Sequence, residues 1–282
     1  MKLSLSAAVV FVPAGGPADA ALAGTTHLAI AAHADDIEIM AYHGILACFS
    51  RADAHFTGVV VTDGAGSPRN GRYAHYTDAD MRVVRRQEQK KAATIGAYAA
   101  QVLLDHPSAA VKDAANPAVV TDLVEVLRAT HPAVVYTHNL ADRHDTHVAV
   151  ALRTIAAIRR LPAEARPGRV IGCEVWRDLD WLPDEAKVVM DVGGRDELAA
   201  ALLAVFASQI GGGKRYDLAT LGRRRAHATY AVGDAVDTTT AIIFGMDLTP
   251  LVVGSSRDPF EYVEGLLSGF SRDVKERLTR LA

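Results

Sequence analysis

The sequence has few cysteines, no long apolar run and little net charge, and each shortage excludes a class of protein. Cys48 and Cys173 are the only cysteines in 282 residues and lie outside any paired motif, which excludes a disulfide framework or a thiolate zinc knot and favours a reducing compartment. No run approaches the ~20 apolar residues of a membrane span. A net charge of -3 offers neither a basic stripe for nucleic acid nor an acidic tail. We therefore predict a soluble, cytoplasmic protein that binds no nucleic acid and spans no membrane.

Strand-like and helix-like segments alternate over the first two thirds of the chain. Apolar runs rich in β-branched residues predict buried strands at Ala7–Val12, Leu28–Ala32, Thr57–Thr62, Val102–Leu104 and Ala133–Tyr136. Helical periodicity predicts helices at Ile37–Phe49, Asp80–Ile95, Pro117–Ala129 and His147–Arg160. We predict a first strand rather than a signal peptide at the start of the chain, because the apolar stretch there is short and follows a single positive charge.

This alternation predicts an α/β fold with a Rossmann-like, mostly parallel sheet that helices cover on both faces. In such sheets, ligands bind beyond the carboxyl ends of the strands. The last hundred residues predict a C-terminal α/β elaboration with strands and helices at Val188–Val192, Asp196–Ile210, Ala241–Phe244 and Pro259–Leu281. Since no repeat or linker divides the chain, we predict one domain over residues 1–282, with a core over about 1–175 and the elaboration over about 176–282.

A glycine-rich segment, Gly211–Arg215, has some likeness to a phosphate-binding loop. It follows a predicted helix rather than a strand and lacks the glycine spacing of such a loop. We therefore predict that it ends the helix before it.

Two clusters of histidine and aspartate, His33–Asp36 and Asp142–His147, follow predicted strands and carry the richest chemistry in the chain. In each cluster, two donor residues three apart begin a helix and can share one face. Imidazole nitrogens and carboxylate oxygens suit zinc, and a catalytic zinc site keeps one position open. An aspartate before a helix is also a good N-cap, so capping is the alternative interpretation for Asp35, Asp36 and Asp145. The presence of both clusters at one sheet edge favours a metal site.

One carboxylate of the first cluster is a candidate general base. Asp35 lies next to Asp36 but projects differently, so it is free to take a proton from a metal-activated water. Between the clusters, the loop Gly64–Tyr73 lies on the ligand-binding side of the predicted sheet. It is either a mobile lid or a solvated connection.

Several other residues are candidates for the site. If the loop is a lid, Arg69, Arg72 and Tyr73 are candidates to touch substrate. His138 ends a strand beside the second cluster and has either a substrate-binding or a structural role. Arg85 and Glu88, one helical turn apart, either form an ion pair that supports the site or touch a sugar, and we favour the ion pair.

The segment His33–Glu38 resembles the His-Pro-Asp-Asp-x-Glu signature of the PIG-L (LmbE-like) zinc deacetylase family. Asp142–His147 is similar to that family's second signature, in which two histidines are three apart. The resemblance implies one zinc ion per chain, with three ligands: His33, Asp36 and His147. It implies Asp35 as general base and His144 as the group that stabilises the oxyanion or protonates the leaving amine. The implied reaction removes acetyl groups from N-acetylated amino sugars such as N-acetylglucosamine, or from their conjugates.

The sequence departs from the family pattern at Ala34, which replaces proline, and at Asp145-Thr146, where Pro-Asp is common. Thr146 cannot act as the anion that orients His144, which leaves Asp142 or Asp145 for that task. Two alternatives stay open: an amidase that acts on a bulkier thiol–sugar conjugate, and a metal-binding protein without catalysis. Members of this family are often oligomeric, so the resemblance also raises the prospect of a homo-oligomer.

Overall fold

The computed structural model describes residues 1–231, 235–254 and 257–282, and a β-sheet runs through its centre. The described strands are β1 (Val9–Phe11), β2 (His27–Ala31), β3 (Phe56–Thr62), β4 (Ala100–His106), β5 (Val134–His138), β6 (Arg169–Cys173), β7 (Lys187–Asp191) and β8 (Ile242–Asp247). The described α-helices are α1 (Ala18–Ala23), α2 (Asp36–Met40), α3 (Tyr42–Cys48), α4 (Asp78–Ile95), α5 (Ser108–Lys112), α6 (Ala118–Thr130), α7 (Asp145–Arg159), α8 (Asp196–Ala204), α9 (Ala207–Gly211), α10 (Tyr216–Tyr230) and α11 (Pro259–Leu281).

The sheet order is β1-β4-β3-β2-β5-β6-β8-β7. The central strands β4, β3, β2, β5 and β6 are parallel, whereas β1, β8 and β7 pair antiparallel with their neighbours. This arrangement confirms the predicted α/β fold with a mostly parallel sheet. Strands β7 and β8, from the C-terminal elaboration, extend the same sheet rather than forming a second one.

Apolar side chains of the central strands alternate between two cores. Leu28 and Ile30 of β2 belong to one core, whereas Ala29 and Ala31 belong to the core on the other face. Successive side chains of a strand point to opposite faces, so a strand that is buried on both sides needs apolar residues throughout. The predicted helical cover on both faces is therefore confirmed.

The predicted helix Ile37–Phe49 is wrong as a single element. It is divided into α2 and α3 at Ala41, whose backbone leaves the helical region with φ -111 and ψ 22. The guanidinium of Arg224 donates hydrogen bonds to the carbonyl oxygens of Glu38 (2.7 Å) and Ile39 (3.0 Å). Because the end of a helix leaves its last carbonyl groups without intrahelical partners, this distant arginine stabilises the break.

The predicted helix Asp196–Ile210 is also two helices, α8 and α9, because the chain turns at Val205–Phe206 and buries the phenyl ring. Gly211 ends α9, as predicted for the glycine-rich segment. The sequence did not reveal β6, whose run is short and interrupted by Gly172, or helix α10. No described helix is long and apolar enough to cross a bilayer.

The glutamate of the first signature, Glu38, has a structural place under α2. Its side chain is fully buried and accepts hydrogen bonds from the hydroxyl of Tyr98 (2.7 Å) and the amide of Gln89 (2.9 Å). Burial raises the pKa of Glu38 from 4.5 to about 8, although both hydrogen bonds lower it. The folded protein therefore keeps a proton here that the unfolded chain releases at lower pH.

Replacing Glu38 with glutamine is expected to change how stability depends on pH. In the wild type, the free energy of unfolding should fall as the pH rises from about 5 to about 8, by up to about 1.4 kcal/mol per pH unit, because the folded state binds more protons over that range. Glutamine carries no titrating proton and should flatten this slope. Urea unfolding at several pH values measures it, with exposed Glu185→Gln as the control. Equal slopes in Glu38→Gln and wild type would contradict the assignment.

Candidate active site

The two His/Asp clusters meet at the carboxyl ends of neighbouring parallel strands. His33–Asp36 directly follows β2, and Asp142–His147 lies between β5 and the first turn of α7. Strands β2 and β5 are hydrogen-bonded neighbours in parallel register. Loops that leave adjacent parallel strands emerge at the same edge, which is where α/β sheets bind ligands.

Three donor atoms from these clusters form a nearly equilateral triangle. The Nδ1 atom of His33 lies 3.2 Å from Oδ2 of Asp36 and 3.2 Å from Nε2 of His147, and the latter two atoms are 3.4 Å apart. Tetrahedral zinc with bonds of about 2.0–2.2 Å has ligand–ligand distances of about 3.3–3.6 Å. The triangle therefore fits three zinc ligands, and a tetrahedral ion would keep a fourth position for water or substrate.

Two further histidines lie beside this triangle. Metal-type donors converge in two sets that share His147, one with His33 and His144 and the other with Asp36 and His138. Nε2 of His138 already accepts a hydrogen bond from the backbone N–H of Ala32 at 2.8 Å. Its lone pair is therefore engaged, and the fully buried ring instead stacks on His147 with a centroid distance of 4.0 Å.

The carboxylate of Asp142 orients the second cluster from behind. Its Oδ1 accepts the backbone N–H of His144 at 2.9 Å and lies 3.4 Å from Nδ1 of His147. A carboxylate at Nδ1 favours the tautomer that leaves the Nε2 lone pair free for a metal. The side chain of Asp145, by contrast, is exposed on the first turn of α7 and forms no hydrogen bond or ion pair with the described residues. Of the two aspartates proposed to replace the family's anion, Asp142 is in place but faces His147 rather than the His144 ring.

Replacing Asp142 with asparagine is expected to weaken zinc binding by about 10–100-fold, the usual cost of losing a carboxylate behind a ligating histidine. The measurement is a zinc titration of the metal-free protein against a competing chelator. Asp145→Asn, three residues away on the exposed side of the same cluster, is the matched control and should bind zinc like the wild type. Equal affinities of Asp142→Asn and Asp145→Asn would contradict the orienting role.

His144 caps α7 and is held as a neutral donor. Its Nδ1 accepts the backbone N–H of Thr146 at 3.3 Å, so the proton of the neutral ring is on Nε2. Burial, together with the neighbouring rings of His147 and His33, lowers the pKa of His144. The imidazole is therefore suited to donating a hydrogen bond near neutral pH.

Asp35 is held in a strained position beside the triangle. Its backbone has φ 90, in the left-handed region that non-glycine residues seldom adopt, and strain of this kind clusters at functional sites. Oδ2 of the buried carboxylate pairs with the guanidinium of Arg85 at 3.0 Å. Burial raises the pKa of Asp35 to about 6, although Arg85 lowers it. A carboxyl group with this pKa can accept a proton near neutral pH.

A buried network holds Arg85 in place. Its guanidinium donates to Oε2 of Glu88 at 2.8 Å and to the carbonyl oxygen of Ala34. Glu88 in turn accepts the backbone N–H and the hydroxyl of Ser208, each at 2.7 Å. The expected ion pair between Arg85 and Glu88 is therefore present, and it ties α4 and α9 to the loop that carries Asp35.

The two clusters lie in a segment that a known family shares. Residues 28–158 match the family model described as "PIG-L: GlcNAc-PI de-N-acetylase". The chain carries a PIG-L family domain. This result confirms the family suggested by the two signatures. A comparison with curated protein sequences gave no match.

Solved structures resemble the PIG-L domain and its C-terminal extension in fold. The conserved protein TT1542 from Thermus thermophilus is 19% identical, with a TM-score of 0.63 over 82% of this chain and 97% of that chain. GalB, the 4-carboxy-2-hydroxymuconate hydratase from Pseudomonas putida, is 18% identical, with a TM-score of 0.59 over 82% and 99%. The N,N'-diacetylchitobiose deacetylase from Pyrococcus horikoshii is 17% identical, with a TM-score of 0.57 over 78% and 83%. These TM-scores establish a similar fold, which a hydratase and a deacetylase share.

A cavity of about 360 Å³ borders the triangle of donor atoms. Its floor includes His33, Asp35, Asp36 and His144. Part of its wall comes from the loop residues Gly64, Gly66, Ser67 and Pro68, and part from residues beyond the family match, which are Val175, Trp176, Gln209, Lys214 and Tyr216. The first half of the loop Gly64–Tyr73 therefore borders the cavity, whereas the sequence placed the whole loop on the ligand-binding side.

The second half of that loop turns away from the cavity. Arg69 pairs with Asp78 and with its own loop, and Arg72 donates to the hydroxyl of Tyr73 at 2.6 Å. The ring of Tyr73 is buried, next to Gly211. Among the residues predicted to touch substrate, neither the three in this loop nor His138 lines the cavity.

The most prominent wall residue was not among the predicted site residues. Trp176 follows β6 and is 41% exposed, which is unusual for the largest side chain. Its ring centroid lies 5.9 Å from that of His144 and 6.3 Å from that of Tyr216. Recognising β6 as a strand would have placed Trp176 at the same sheet edge as the two clusters.

Proposed function

We propose that the protein is a zinc-dependent hydrolase that removes the acetyl group from an N-acetylated amino sugar or its conjugate. The observation that carries this proposal is the triangle of His33, Asp36 and His147, with Asp35 and His144 in the lining of the same cavity. The family description, a de-N-acetylase, and the deacetylases among the similar structures support it. GalB, a hydratase, has a similar fold, so the fold alone does not indicate a deacetylase. The proposal therefore rests on this set of side chains.

The residues of the chain divide the reaction between them. When bound by His33, Asp36 and His147, zinc supplies a Lewis acid that polarises the amide carbonyl and acidifies water. Asp35 accepts a proton from the attacking water while the water oxygen forms the new bond to the carbonyl carbon. His144 donates a hydrogen bond from Nε2 to the developing oxyanion. When the C–N bond breaks, the leaving nitrogen takes up the proton that Asp35 accepted from the water, and the products are acetate and a free amine.

We also propose how the chain is organised and where it works. A single domain over residues 1–282 is supported by the shared sheet and by cavity walls from both the core and the elaboration. A reducing, cytoplasmic location is supported by Cys48 and Cys173, both of which are buried free thiols.

One observation favours the alternative substrate, a bulkier conjugate. A cleft of about 150 Å³ adjoins the main cavity and shares with it Ile39, Val175, Trp176 and Tyr216. Its lining is mostly apolar, with Arg223 at the edge. A simple acetylated sugar leaves this cleft empty, whereas a conjugate with an apolar or planar group would fill it.

Replacing Trp176 with alanine is expected to raise KM for a conjugate with an aromatic aglycone by about 3–10-fold, because one aromatic stacking contact is lost. The turnover number should change less, since the indole makes no contact that the reacting atoms require. Steady-state kinetics on the conjugate and on free N-acetylglucosamine measure the difference. Tyr230→Ala removes an exposed aromatic ring elsewhere and is the control. Similar KM values for Trp176→Ala and the control would argue against stacking.

The proposed activity is tested by acetate release from the zinc-loaded protein. The panel comprises N-acetylglucosamine, N,N'-diacetylchitobiose and N-acetylglucosamine conjugates with bulky aglycones or thiols. Release from the simple sugars supports the main proposal, and release from the conjugates alone favours the bulkier substrate. One zinc per chain with no release from any substrate would refute the hydrolase and leave a metal-binding protein without catalysis.

A further inference from the structure

The last helix, α11, is only partly packed against the rest of the protein. The hydroxyl of Tyr262 donates to the carbonyl oxygen of Asp247, and the side chains of Tyr262, Val263 and Leu266 lie against the apolar core. From residue 271 to residue 282, every residue is exposed. With 23 residues, the helix is about 35 Å long at 1.5 Å per residue. Part of its second half, from Phe270 to Arg277, borders the segment 180–187, yet its residues stay exposed to solvent.

Helix α11 carries a row of exposed apolar side chains, which we name the α11 stripe. The stripe consists of Phe260, Leu267, Phe270, Val274, Leu278 and Leu281, with exposed fractions of 75%, 49%, 42%, 38%, 65% and 76%. The spacings of 7, 3, 4, 4 and 3 residues keep all six on one side of the helix. A row of this kind is the usual seam of a helix that pairs with another helix.

The stripe is nearly symmetric about its midpoint. In an antiparallel pair centred between residues 270 and 271, Phe260 of one copy lies opposite Leu281 of the other, and Leu267 lies opposite Val274. The Phe270 side chains of the two copies are then adjacent. Leu278 then falls opposite the half-buried Val263. An antiparallel copy of α11 therefore presents apolar side chains at the same heights as the original.

The charges of α11 are divided between its two halves. Residues 258–266 carry three acidic side chains and no basic one, whereas residues 270–282 carry four basic and two acidic side chains. Antiparallel pairing sets the acidic half of each copy against the basic half of the other. Parallel pairing would set like halves together, and an anionic membrane would repel the acidic half.

We propose that α11 is a dimerisation helix, through which two copies of this chain pair antiparallel along the α11 stripe. Such an interface is isologous, because each copy contributes the same surface and a two-fold axis passes near Phe270. The stripe contributes nothing to the lining of the cavity beside the two His/Asp clusters. The proposal therefore neither needs the proposed hydrolase activity nor fails with it.

The test measures the mass of the full chain in solution. Sedimentation equilibrium over a concentration series should show an assembly of twice 30.0 kDa at micromolar concentration. Leu267→Glu combined with Val274→Glu should raise the dissociation constant at least 100-fold while leaving the circular dichroism melt of the monomer unchanged, since both side chains are exposed. Leu218→Glu and Val83→Glu, at exposed apolar positions on α10 and α4, are matched controls that should remain dimeric.

A charge exchange tests the antiparallel direction. Glu261→Lys with Glu264→Lys should weaken self-association, as should Lys275→Glu with Arg277→Glu. Mixing the two variants should restore a dimer, because each acidic half again meets a basic half. No restoration on mixing would overturn the antiparallel arrangement.

Three further results would overturn the proposal as a whole. The first is a wild type that stays monomeric at 100 micromolar. The second is a Leu267→Glu, Val274→Glu variant that dimerises like the wild type. The third is a monomeric wild type that floats with phosphatidylserine vesicles through the stripe, which would assign α11 to a membrane surface instead.

Discussion

Replacing Asp35 with asparagine is expected to lower the rate of acetate release by about 10²–10⁴-fold, which is the usual contribution of a general base. Asparagine has nearly the same shape as aspartate but cannot accept a proton from the attacking water. The three ligand atoms belong to other side chains, so the zinc content should stay at one ion per chain. The measurements are kcat with a saturating N-acetylated substrate and metal analysis of the same sample.

Asp105→Asn is the matched control for this experiment. Asp105 also has a positive φ, of 66, and also pairs with an arginine, Arg86 at 2.8 Å, but it does not line the cavity. The control should therefore retain near wild-type turnover. If Asp35→Asn is as active as Asp105→Asn, Asp35 is not the base. If it loses zinc as well as activity, the carboxylate is a ligand instead.

Replacing His147 with alanine is expected to weaken zinc binding by far more than about 100-fold. Loss of a carboxylate that only supports a ligand costs up to about 100-fold, and loss of the ligand itself costs more. His147 is fully buried and contributes Nε2, one corner of the triangle, so alanine leaves two ligands and a small void. Bound zinc stabilises the folded state, so addition of zinc should raise the melting temperature of the wild type and not that of the variant. Equilibrium dialysis with metal analysis measures the binding directly.

His138→Gln separates the two sets of donors that share His147. Glutamine places an acceptor oxygen where Nε2 of His138 accepts the N–H of Ala32, so the local hydrogen bond can be kept. This variant should bind one zinc ion per chain with an affinity within about tenfold of the wild type, because only a neighbouring group changes. Loss of zinc in His138→Gln together with its retention in His33→Ala would reverse the ligand assignment.

Much of the fold was predictable because each strand or helix has a hydrophobic pattern that can be recognised within a short stretch of sequence. The runs at Leu28–Ala32 and, within Thr57–Thr62, at Val59–Val61 are apolar at every position, which is what burial on both faces of a sheet requires. The break between α2 and α3 was not predictable, because a guanidinium from Arg224, nearly two hundred residues away, takes up the carbonyl groups freed there. Hydrophobic periodicity carries no information about such a distant partner.

The site divides in the same way. Both signatures and their positions after strands β2 and β5 could be read along the chain, and they sufficed to indicate the family and the metal chemistry. The predicted contacts at Arg69, Arg72 and Tyr73 followed from their place in a glycine-rich loop. In the structure, however, these side chains bond within their own loop or with Asp78, rather than facing the cavity.

By itself, the sequence determined the family, the α/β order of elements and the two groups of donors at one sheet edge, because each depends on neighbours in the chain or on the period of a strand or helix. Only the tertiary structure decided which donors meet at 3.2–3.4 Å, which histidine has already engaged its lone pair and which aromatic side chains wall the cavity. Those outcomes depend on differences of a few tenths of an ångström in the distances between atoms of segments more than a hundred residues apart. Only the packed chain determines distances of that kind.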